Sequence, residues 1–263
     1  MLTLHTFASG SEGNCLLISG AQSHILLDAG ISCKRITASL AALGLTADDL
    51  CAILITHEHS DHVSGLATFT KRYRVPIYTT APTARQLAYR IAGIEPLLHH
   101  VKPDDVFHLG KIKVTVFPTS HDTADSVDFR FDDENSSIGI LTDTGYVTNE
   151  AAEVLTGADL LVLESNHDVE WLKSSPYPYD LKQRILGDYG HLSNDAAAHF
   201  AARMAQQGTR QFVLAHLSRE NNTPQRALDT VSLAVAEYGA SVCVAPRGEL
   251  SCGYTAEVLT CKE

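Results

Sequence analysis

The alternation of apolar and polar residues divides the chain into short strands separated by helices. It predicts strands at residues 2–7, 15–19, 24–28, 52–55, 75–79, 106–109, 112–117, 127–131, 138–141, 160–163, 212–215 and 242–245. Helical periodicity, with capping residues at several starts, predicts helices at residues 32–43, 63–74, 83–92, 149–156, 193–207 and 223–238. Residues 165–190 are predicted as a polar connection, and residues 249–263 as a weak terminal hairpin or tail.

No change in composition and no linker-like stretch separates these strands and helices into two units. We therefore predict one domain over residues 1–263, in which two sheets pack face to face with helices on both outer faces. The 263 residues, of which 44% are hydrophobic, are enough to build a core of this size.

Charge and cysteine content restrict the classes of function. A net charge of −11 argues against a broad basic surface for nucleic acid, although a local one remains compatible with it. None of the six cysteines forms a C-x-x-C pair, which disfavours a structural zinc ribbon and favours reduced thiols. No signal peptide and no apolar stretch of transmembrane length is found, so we expect a cytoplasmic protein without a membrane segment.

The strongest chemical signal is the segment THEHSDH at residues 56–62, directly after the predicted strand 52–55. His57 and His59 alternate, so an extended backbone directs both imidazoles to the same side. Asp61 and His62 follow at the turn into the next helix. Imidazole and carboxylate donors at this density suit Zn, Mn or Fe, and two groups so close together suggest two metals. A histidine-rich loop without metal is the simpler alternative, but the spacing after a strand argues against it.

Three further candidates, His121, Asp143 and His216, each follow a predicted strand. Polar groups at the ends of several strands converge at one edge of a sheet, where α/β enzymes build their sites. The predicted ligands are His57, His59 and His121 for one metal, and Asp61, His62 and His216 for the other. Asp143 is predicted to bridge the two metals. Taken alone, His121 or His216 is more often an ordinary hydrogen-bonded histidine.

These ligand positions and the order of strands and helices resemble the metallo-β-lactamase superfamily over essentially the whole chain. The resemblance implies an αββα sandwich of two mixed sheets. Further segments are similar to the WalJ/YycJ group: SGSEGNC at 9–15, TDTGY at 142–146, ESNHD at 164–168, GHLSN at 190–194 and AHLSRENN at 215–222. That group is small, single-domain and regarded as 5′–3′ DNA exonucleases. It is related to RNase Z and to the phosphodiesterase PhnP.

The resemblance implies a binuclear phosphodiesterase, a 5′–3′ DNA exonuclease, with two divalent ions, Zn or Mn, with Fe as a further option. A metal-bridging hydroxide would be the nucleophile, and Asp61 would orient it as well as bind a metal. By the same resemblance, Glu164 and His191 form a proton-handling pair. His191 would contact the scissile phosphate or protonate the leaving oxygen, and Glu164 would hold its tautomer. A salt bridge or helix cap for Glu164, and an ordinary helix-start histidine for His191, are the structural alternatives.

The stretch from residue 167 to residue 189 is long for a connection inside a compact domain, and it carries aromatic and basic side chains. Such side chains can stack bases and pair with phosphates of a single strand. An excursion packed on the surface explains the same composition. The candidate substrate-binding residues, here and in the Gly-rich turn at 9–14, are Ser11, Asn14, Trp171, Lys182 and Arg184. His167 is predicted to be a surface histidine.

Three functions are compatible with these observations. The first is a nuclease acting on nucleic acid, with DNA preferred over RNA. The second is a small-molecule metallo-hydrolase, namely a cyclic-phosphate phosphodiesterase, lactonase or thioesterase. The third is a non-catalytic binding protein, which the intact ligand set argues against. The Glu164–His191 pair favours phosphodiester substrates, whereas the acidic composition mildly favours a small substrate. The residues leave the physiological metal and the oligomeric state open.

Overall fold

The computed structural model describes residues 1–20 and 22–256, and in them two mixed sheets of seven strands each are formed. The first sheet contains β1 (Thr3–Ala8), β2 (Cys15–Gly20), β3 (Ser23–Leu27), β4 (Leu50–Leu54), β5 (Ile77–Thr80), β6 (Leu98–Val101) and β14 (Tyr254–Thr255), in the order β14-β1-β2-β3-β4-β5-β6. The second contains β7 (Val106–Leu109), β8 (Ile112–Pro118), β9 (Val127–Asp132), β10 (Ser137–Leu141), β11 (Leu160–Glu164), β12 (Gln211–Ala215) and β13 (Ser241–Val244), in the order β13-β12-β11-β10-β9-β8-β7.

Nine α-helices are found within the described residues. They are α1 (Cys33–Ala42), α2 (Ser60–Val63), α3 (Leu66–Thr70), α4 (Ala81–Arg90), α5 (Asn149–Leu155), α6 (Val169–Ser174), α7 (Tyr179–Leu186), α8 (Asn194–Gln206) and α9 (Pro224–Val235). Single 3₁₀ turns occur at Ala47–Asp49, Glu95–Leu97 and Ala236–Tyr238. No helix in this part of the chain is long and apolar enough to cross a membrane.

The alternation within each strand explains the layering. In β11, Leu160 and Val162 face a central core shared by both sheets, whereas Leu161 and Leu163 pack under α8 and α9. Ile53 of β4 likewise packs with α1 on the outer face of the first sheet. A strand covered on both faces is apolar at every position, because both sets of side chains leave water. The predicted αββα sandwich is confirmed, and the shared core is what the single-domain prediction expects.

The predicted helix at 63–74 is wrong, because the chain forms α2 and α3 with a break at Gly65. The backbone N–H of Gly65 donates to the carbonyl oxygen of Ala29 (2.8 Å) instead of to the preceding turn. The carbonyl oxygen of Asp61, which would have accepted that bond, instead accepts from the N–H of Asn14 (2.7 Å). Loops distant in the sequence therefore interrupt the helix.

Two other elements differ from the prediction. The segment 165–190 contains α6 and α7, and is not a structureless connection. Strand β6 was missed because its central residues, His99 and His100, are exposed polar residues at the edge of the sheet. Within the predicted terminal hairpin or tail, the short strand β14 pairs with β1. The rest of that prediction, from residue 257 onward, lies outside the described residues. The five described cysteines are free thiols, as predicted, and Cys261 lies outside the described residues.

Candidate metal centre

Five strands end at one edge of the sandwich and deliver the polar residues there. β4 leads into His57, β8 into His121, β10 into Asp143 and β12 into His216, while Glu164 is the last residue of β11. Asp143 and His216 have left-handed backbones, with φ of +53° and +54°. Residues other than glycine adopt this conformation at an energetic cost, and such residues cluster at functional sites. The strand ends therefore place polar residues along one edge, and two of these residues have strained backbones.

His57, His59 and His121 each offer a ring nitrogen, and the three nitrogens lie within 4.8 Å of one another. His57 and His121 are buried. The hydroxyl of Thr56 lies 3.0 Å from Nδ1 of His57, and Nδ1 of His121 donates to the carbonyl oxygen of Gly190 (3.1 Å). Burial holds the pKa of His57 well below its usual value and lowers the pKa of His121. Neutral imidazoles with an engaged Nδ1 are suitable metal ligands through Nε2.

Asp61, His62 and His216 form a second group whose donor atoms also lie within 4.8 Å of one another. Oδ2 of Asp61 lies 3.4 Å from Nε2 of both histidines. A carboxylate is placed behind each ring: Oδ2 of Asp28 lies 2.7 Å from Nδ1 of His62, and Oε1 of Glu164 lies 3.0 Å from Nδ1 of His216.

These carboxylates determine the charge of the second group. Burial lowers the pKa of His62, but the negative charges of Asp28 and Asp143 outweigh it and raise this pKa well above its usual value. Burial also lowers the pKa of His216, but the negative charge of Asp143 and the contacts with Asp61 and Glu164 outweigh it and raise this pKa to about 10. The surrounding field favours a positive charge at these rings, which a proton or a divalent cation can supply.

The carboxylate of Asp143 lies between the two groups. Its Oδ1 is 3.4 Å from Nδ1 of His216 and 3.7 Å from Nε2 of His121, and its Oδ2 is 3.2 Å from Nε2 of His62. Asp143 is 3% exposed, so it is held in this position by the protein. The structure brings the seven predicted ligands together in the two groups that the spacing suggested, with Asp143 between them.

The site also has donor and acceptor atoms that the described residues do not satisfy. Nε2 of His57 is buried and makes no hydrogen bond with any described residue, and Oδ2 of Asp143 is buried with only the ion-pair contact to Nε2 of His62 at 3.2 Å. Leaving such atoms unpaired is costly, and a cation between a ring nitrogen and a carboxylate oxygen would remove that cost. Imidazole and carboxylate donors suit Zn, Mn or Fe. The residues present therefore fit divalent metal ions.

Beside these groups, Oε1 of Glu164 accepts a hydrogen bond from Nδ1 of His191 (2.8 Å). Glu164 is fully buried, and its Oε2 accepts from the backbone N–H groups of Thr144 (3.0 Å) and Leu192 (3.2 Å). Burial raises the pKa of Glu164, but the neighbouring histidines outweigh it and lower the pKa to about 2. Burial likewise lowers the pKa of His191, but Glu164 outweighs it and raises this pKa. Glu164 thus serves both His191 and His216.

A cavity of about 270 Å³ opens over the two groups. One wall carries side chains from the segment predicted as a loop: Tyr177, Leu181, Arg184, Ile185 and Tyr189. Nε of Arg184 donates to Oδ2 of Asp122 (2.5 Å) at this wall. α7 and its flanking turns therefore cover the candidate metal centre, although α7 contains no buried residue.

The predicted substrate-binding residues fall in three places. Ser11 and Arg184 line the cavity. Asn14 is buried behind it, with Nδ2 3.2 Å from Oδ2 of Asp61 and 3.0 Å from Nε2 of His62. Trp171 lies under the guanidinium of Arg226, and Nζ of Lys182 donates to the carbonyl oxygen of Lys173 (2.7 Å). Neither Trp171 nor Lys182 lines the cavity.

The prediction for His167 is wrong, because this side chain is 1% exposed instead of lying on the surface. Asp28 was missed, although it follows β3 in the same way that the predicted ligands follow their strands. Its φ of +58° also matches the strained backbones of Asp143 and His216. The position at a strand end was therefore a usable signal for Asp28. Thr56 and Asp122 offered no comparable signal, because isolated hydroxyl and carboxylate groups are common beside such loops.

The family described as β-lactamase superfamily domain matches residues 23–217. The chain belongs to this superfamily, its fold is the metallo-β-lactamase fold, and it is a hydrolase of that class. It is 38% identical over 242 residues to exodeoxyribonuclease YycJ of Bacillus anthracis, a match that covers 92% of each chain. It is also 38% identical over 245 residues to exodeoxyribonuclease WalJ of Streptococcus pneumoniae, with 89% of each chain covered.

Among solved structures, the metallo-β-lactamase fold protein YhfI from Bacillus subtilis matches with a TM-score of 0.73. The match covers 95% of this chain and 98% of YhfI at 16% identity, so it supports the fold alone. The superfamily and the His/Asp cluster together imply divalent metal ions at the candidate metal centre.

Proposed function

We propose that this protein is a binuclear metal-dependent phosphodiesterase that degrades DNA as a 5′–3′ exonuclease. The observation that carries the proposal is the Glu164–His191 pair, in which His191 lines the cavity over the two ligand groups and Glu164 is buried behind it. Relatives named exodeoxyribonuclease, 38% identical over 92% and 89% of this chain, support DNA as the substrate. The proposed catalytic residues are Asp61, Glu164 and His191.

His57, His59 and His121 would hold one ion, Asp61, His62 and His216 the other, and Asp143 would contact both. When bound, two such ions supply Lewis acidity and lower the pKa of a water molecule. The chain's own contribution begins with Asp61, whose Oδ2 faces Asn14, His62 and His216. Oδ1 of Asp61 has no partner among the described residues, and Asp61 lines the cavity. It is therefore available to accept a hydrogen bond from the attacking water and orient it.

His191 is suited to act as the general acid. Glu164 binds Nδ1–H, which fixes the tautomer and leaves Nε2–H for transfer to the leaving oxygen. The negative charge of Glu164 raises the pKa of His191, which favours the protonated ring that a general acid needs. After transfer the imidazole is neutral, and the carboxylate of Glu164 still holds its orientation. A general acid of this kind typically contributes about 10² to 10⁴ in rate.

The cavity favours the end of a single strand over a duplex. Its volume of about 270 Å³ is small, and α7 closes one side. Tyr177 and Tyr189 present aromatic rings for base stacking, and Arg184, which pairs with Asp122 through Nε, lines the same wall. The hydroxyl of Ser11 faces the same space. These groups support an enzyme that takes a strand end into the cavity.

A second candidate is a small-molecule phosphodiesterase. The same small cavity and the net charge of −11 favour it, because a long polyanion is repelled by an acidic protein. A thioesterase gains little from the Glu164–His191 pair, because a thiolate leaves without a proton, whereas the alkoxide released by a lactonase needs a proton as the leaving oxygen of a phosphodiester does.

The deciding experiment uses end-labelled single- and double-stranded DNA and RNA together with bis(p-nitrophenyl) phosphate, with Mn or Zn supplied. Progressive shortening of DNA from the 5′ end, lost in His191→Ala and Asp143→Ala, is the expected result. Turnover of the small diester while all polymers stay intact would replace the proposal with the small-molecule phosphodiesterase. Inactivity towards every diester, with metal bound, would return the lactonase and thioesterase alternatives.

A further inference from the structure

Two further cavities lie on the far side of the loop that carries Ser11. The first, about 150 Å³, is lined by the guanidinium groups of Arg35 and Arg247 and by the backbone of Gly10, Gly13 and Gly248. The second, about 250 Å³, shares Arg247 with the first and is otherwise mainly apolar, with Leu217, Pro224, Val244, Ala245 and Pro246. A cationic recess beside an apolar recess matches the two chemical parts of a nucleotide.

The charges of these two arginines are not neutralised by the described residues around them. Four arginines in the described chain pair with carboxylates, Arg130, Arg184, Arg219 and Arg226, and Arg35 and Arg247 are among those that do not. Within the same part of the chain, the side chain of Arg35 donates only to the carbonyl oxygen of Gly248 (3.1 Å). The side chain of Arg247 makes no hydrogen bond or ion pair with a described residue, and its Nη1 is a buried donor without a partner there. Glu12 also lines the first cavity, but Oε1 of Glu12 accepts from Arg219 (2.7 Å).

Gly10 lies beside this guanidinium. A Cβ at Gly10 would stand in ordinary contact with Nη1 of Arg247, at 3.5 Å, so the reason for glycine here is its φ of +146°, which other residues rarely adopt. Glycine at this position lets a ligand oxygen approach the loop and the arginine together. In a chain with a net charge of −11, two unpaired arginines at one cavity form a local positive site.

One residue connects this positive site to the candidate metal centre. The hydroxyl of Ser9 accepts from the backbone N–H of His216 (2.9 Å), and the N–H of Ser9 donates to the carbonyl oxygen of Arg247 (3.1 Å). The neighbouring residues alternate between the sites. Ser11 and Ser218 line the metal cavity, whereas Gly10 lines the first of the two further cavities and Leu217 lines the second. The positive site and the metal cavity therefore lie on the two sides of one loop, residues 9–11, and are lined by neighbouring residues of it.

We propose that Arg35 and Arg247 bind a phosphate of the substrate strand, one that is not hydrolysed, while the adjoining apolar cavity takes the attached nucleoside. The inference rests on the proposed nuclease function and adds a substrate subsite to it. Arginine binds phosphate through paired N–H donors, so each side chain contributes to affinity for the strand. Neither side chain lines the metal cavity, and the subsite therefore acts on binding and not on the chemical step.

The test compares Arg35→Ala, Arg247→Ala and the wild-type protein on a single-stranded DNA oligonucleotide and on bis(p-nitrophenyl) phosphate. Each variant is expected to raise KM for DNA about tenfold, the loss typical of a charge-assisted hydrogen bond, with kcat nearly unchanged. The small diester has no second phosphate, so its turnover should match that of the wild type and report an intact metal centre.

Salt dependence supplies an independent readout. For single strands the slope of log K against log salt becomes shallower by about 0.7 for each phosphate that the protein no longer neutralises. Binding of a phosphorothioate oligonucleotide, followed by fluorescence anisotropy, should show this reduction in both alanine variants. Arg35→Lys and Arg247→Lys keep the charge and should restore the slope. Arg74→Ala is the matched control, because Arg74 is exposed and precedes the amino end of β5, at the edge opposite His57.

The outcomes separate the subsite from the function on which it rests. The subsite alone is overturned if the wild type degrades DNA and both alanine variants show an unchanged KM and an unchanged salt slope. Equal loss of turnover on the small diester would also overturn it, because the arginines would then act on the metal centre. Failure of the wild type to degrade any nucleic acid overturns the function as well.

Discussion

The two halves of the candidate metal centre differ in what stands behind their histidines. Behind His57 and His121 are a hydroxyl and a backbone carbonyl, and burial lowers both pKa values. Behind His62 and His216 are the buried carboxylates of Asp28 and Glu164, and both pKa values are raised. Neutral supports thus give uncharged imidazoles with Nε2 free to bind a metal, whereas carboxylate supports give more basic imidazoles for which protons compete.

The difference suggests a division of labour between the halves. A carboxylate behind an imidazole strengthens its bond to a metal and fixes its orientation, and its loss typically weakens metal affinity. The second half also contains Asp61 and adjoins Glu164 and His191, so it combines metal binding with proton handling. The first half is built from histidines alone. The predictions below test this contrast, from the largest expected effect to the smallest.

Asp143→Ala should remove the carboxylate that faces both halves. We expect turnover to fall by more than about 10⁴, beyond the range typical of losing one acid or base, together with bound metal. Activity assays and elemental analysis of the same preparation check this. Wild-type activity would contradict the bridging position of Asp143.

His191→Ala should separate proton handling from metal binding. We expect a loss of about 10² to 10⁴ in phosphodiesterase rate, with metal content equal to that of the wild type. The defect should be smaller for bis(p-nitrophenyl) phosphate, whose leaving group needs little protonation. If metal content falls instead, His191 is a ligand and not a general acid.

Asp28→Asn should weaken the second half selectively. Removal of the charge behind His62 is expected to lower affinity for one ion about 10- to 100-fold, while the other ion is retained. Thr56→Ser, which keeps the hydroxyl behind His57, is the matched control. Calorimetric titration of metal-depleted protein measures the two affinities, and equal weakening of both ions would contradict the contrast between the halves.

Acid should empty the second half first. The raised pKa values of His62 and His216 mean that protons compete for these rings at a higher pH than for His57 and His121. Because the pKa of His216 is raised to about 10 while those of His57 and His121 are lowered, bound metal should fall in two steps as the pH is lowered, the step at the higher pH belonging to the second half. Equilibrium dialysis at each pH measures it. In Asp28→Asn the upper step should be missing, and a single step in the wild type would argue against two unlike halves.

Trp171→Ala and Lys182→Ala should have the smallest effects. Neither side chain lines the cavity, so we expect DNA degradation within about twofold of wild type, as for most surface changes. Arg184→Ala, which removes a cation from the cavity wall, is the comparison and should raise KM. A large loss in Trp171→Ala or Lys182→Ala would restore the sequence-based prediction that the whole 167–189 stretch binds the substrate.

Strands with alternating or fully apolar patterns were predictable, because burial on one or both faces determines their residues directly. β4 and β11 are examples, and the ligand positions followed from the ends of such strands. The edge strand β6 was not predictable, because its position depends on hydrogen bonds with β5 and not on apolar residues of its own. The break at Gly65 was equally hidden, since the competing hydrogen bonds come from Asn14 and Ala29, far away in the sequence.

The sequence by itself determined the two-sheet architecture and the seven ligand candidates, because hydrophobic period and strand-end polarity are local properties. Only the tertiary structure showed that Asp28 and Glu164 lie behind His62 and His216, that α7 covers the cavity, and that Arg35 and Arg247 share a recess. These relations join residues from different strands, helices and loops. Their geometry depends on how the sheets and helices pack, which no local pattern in the chain encodes.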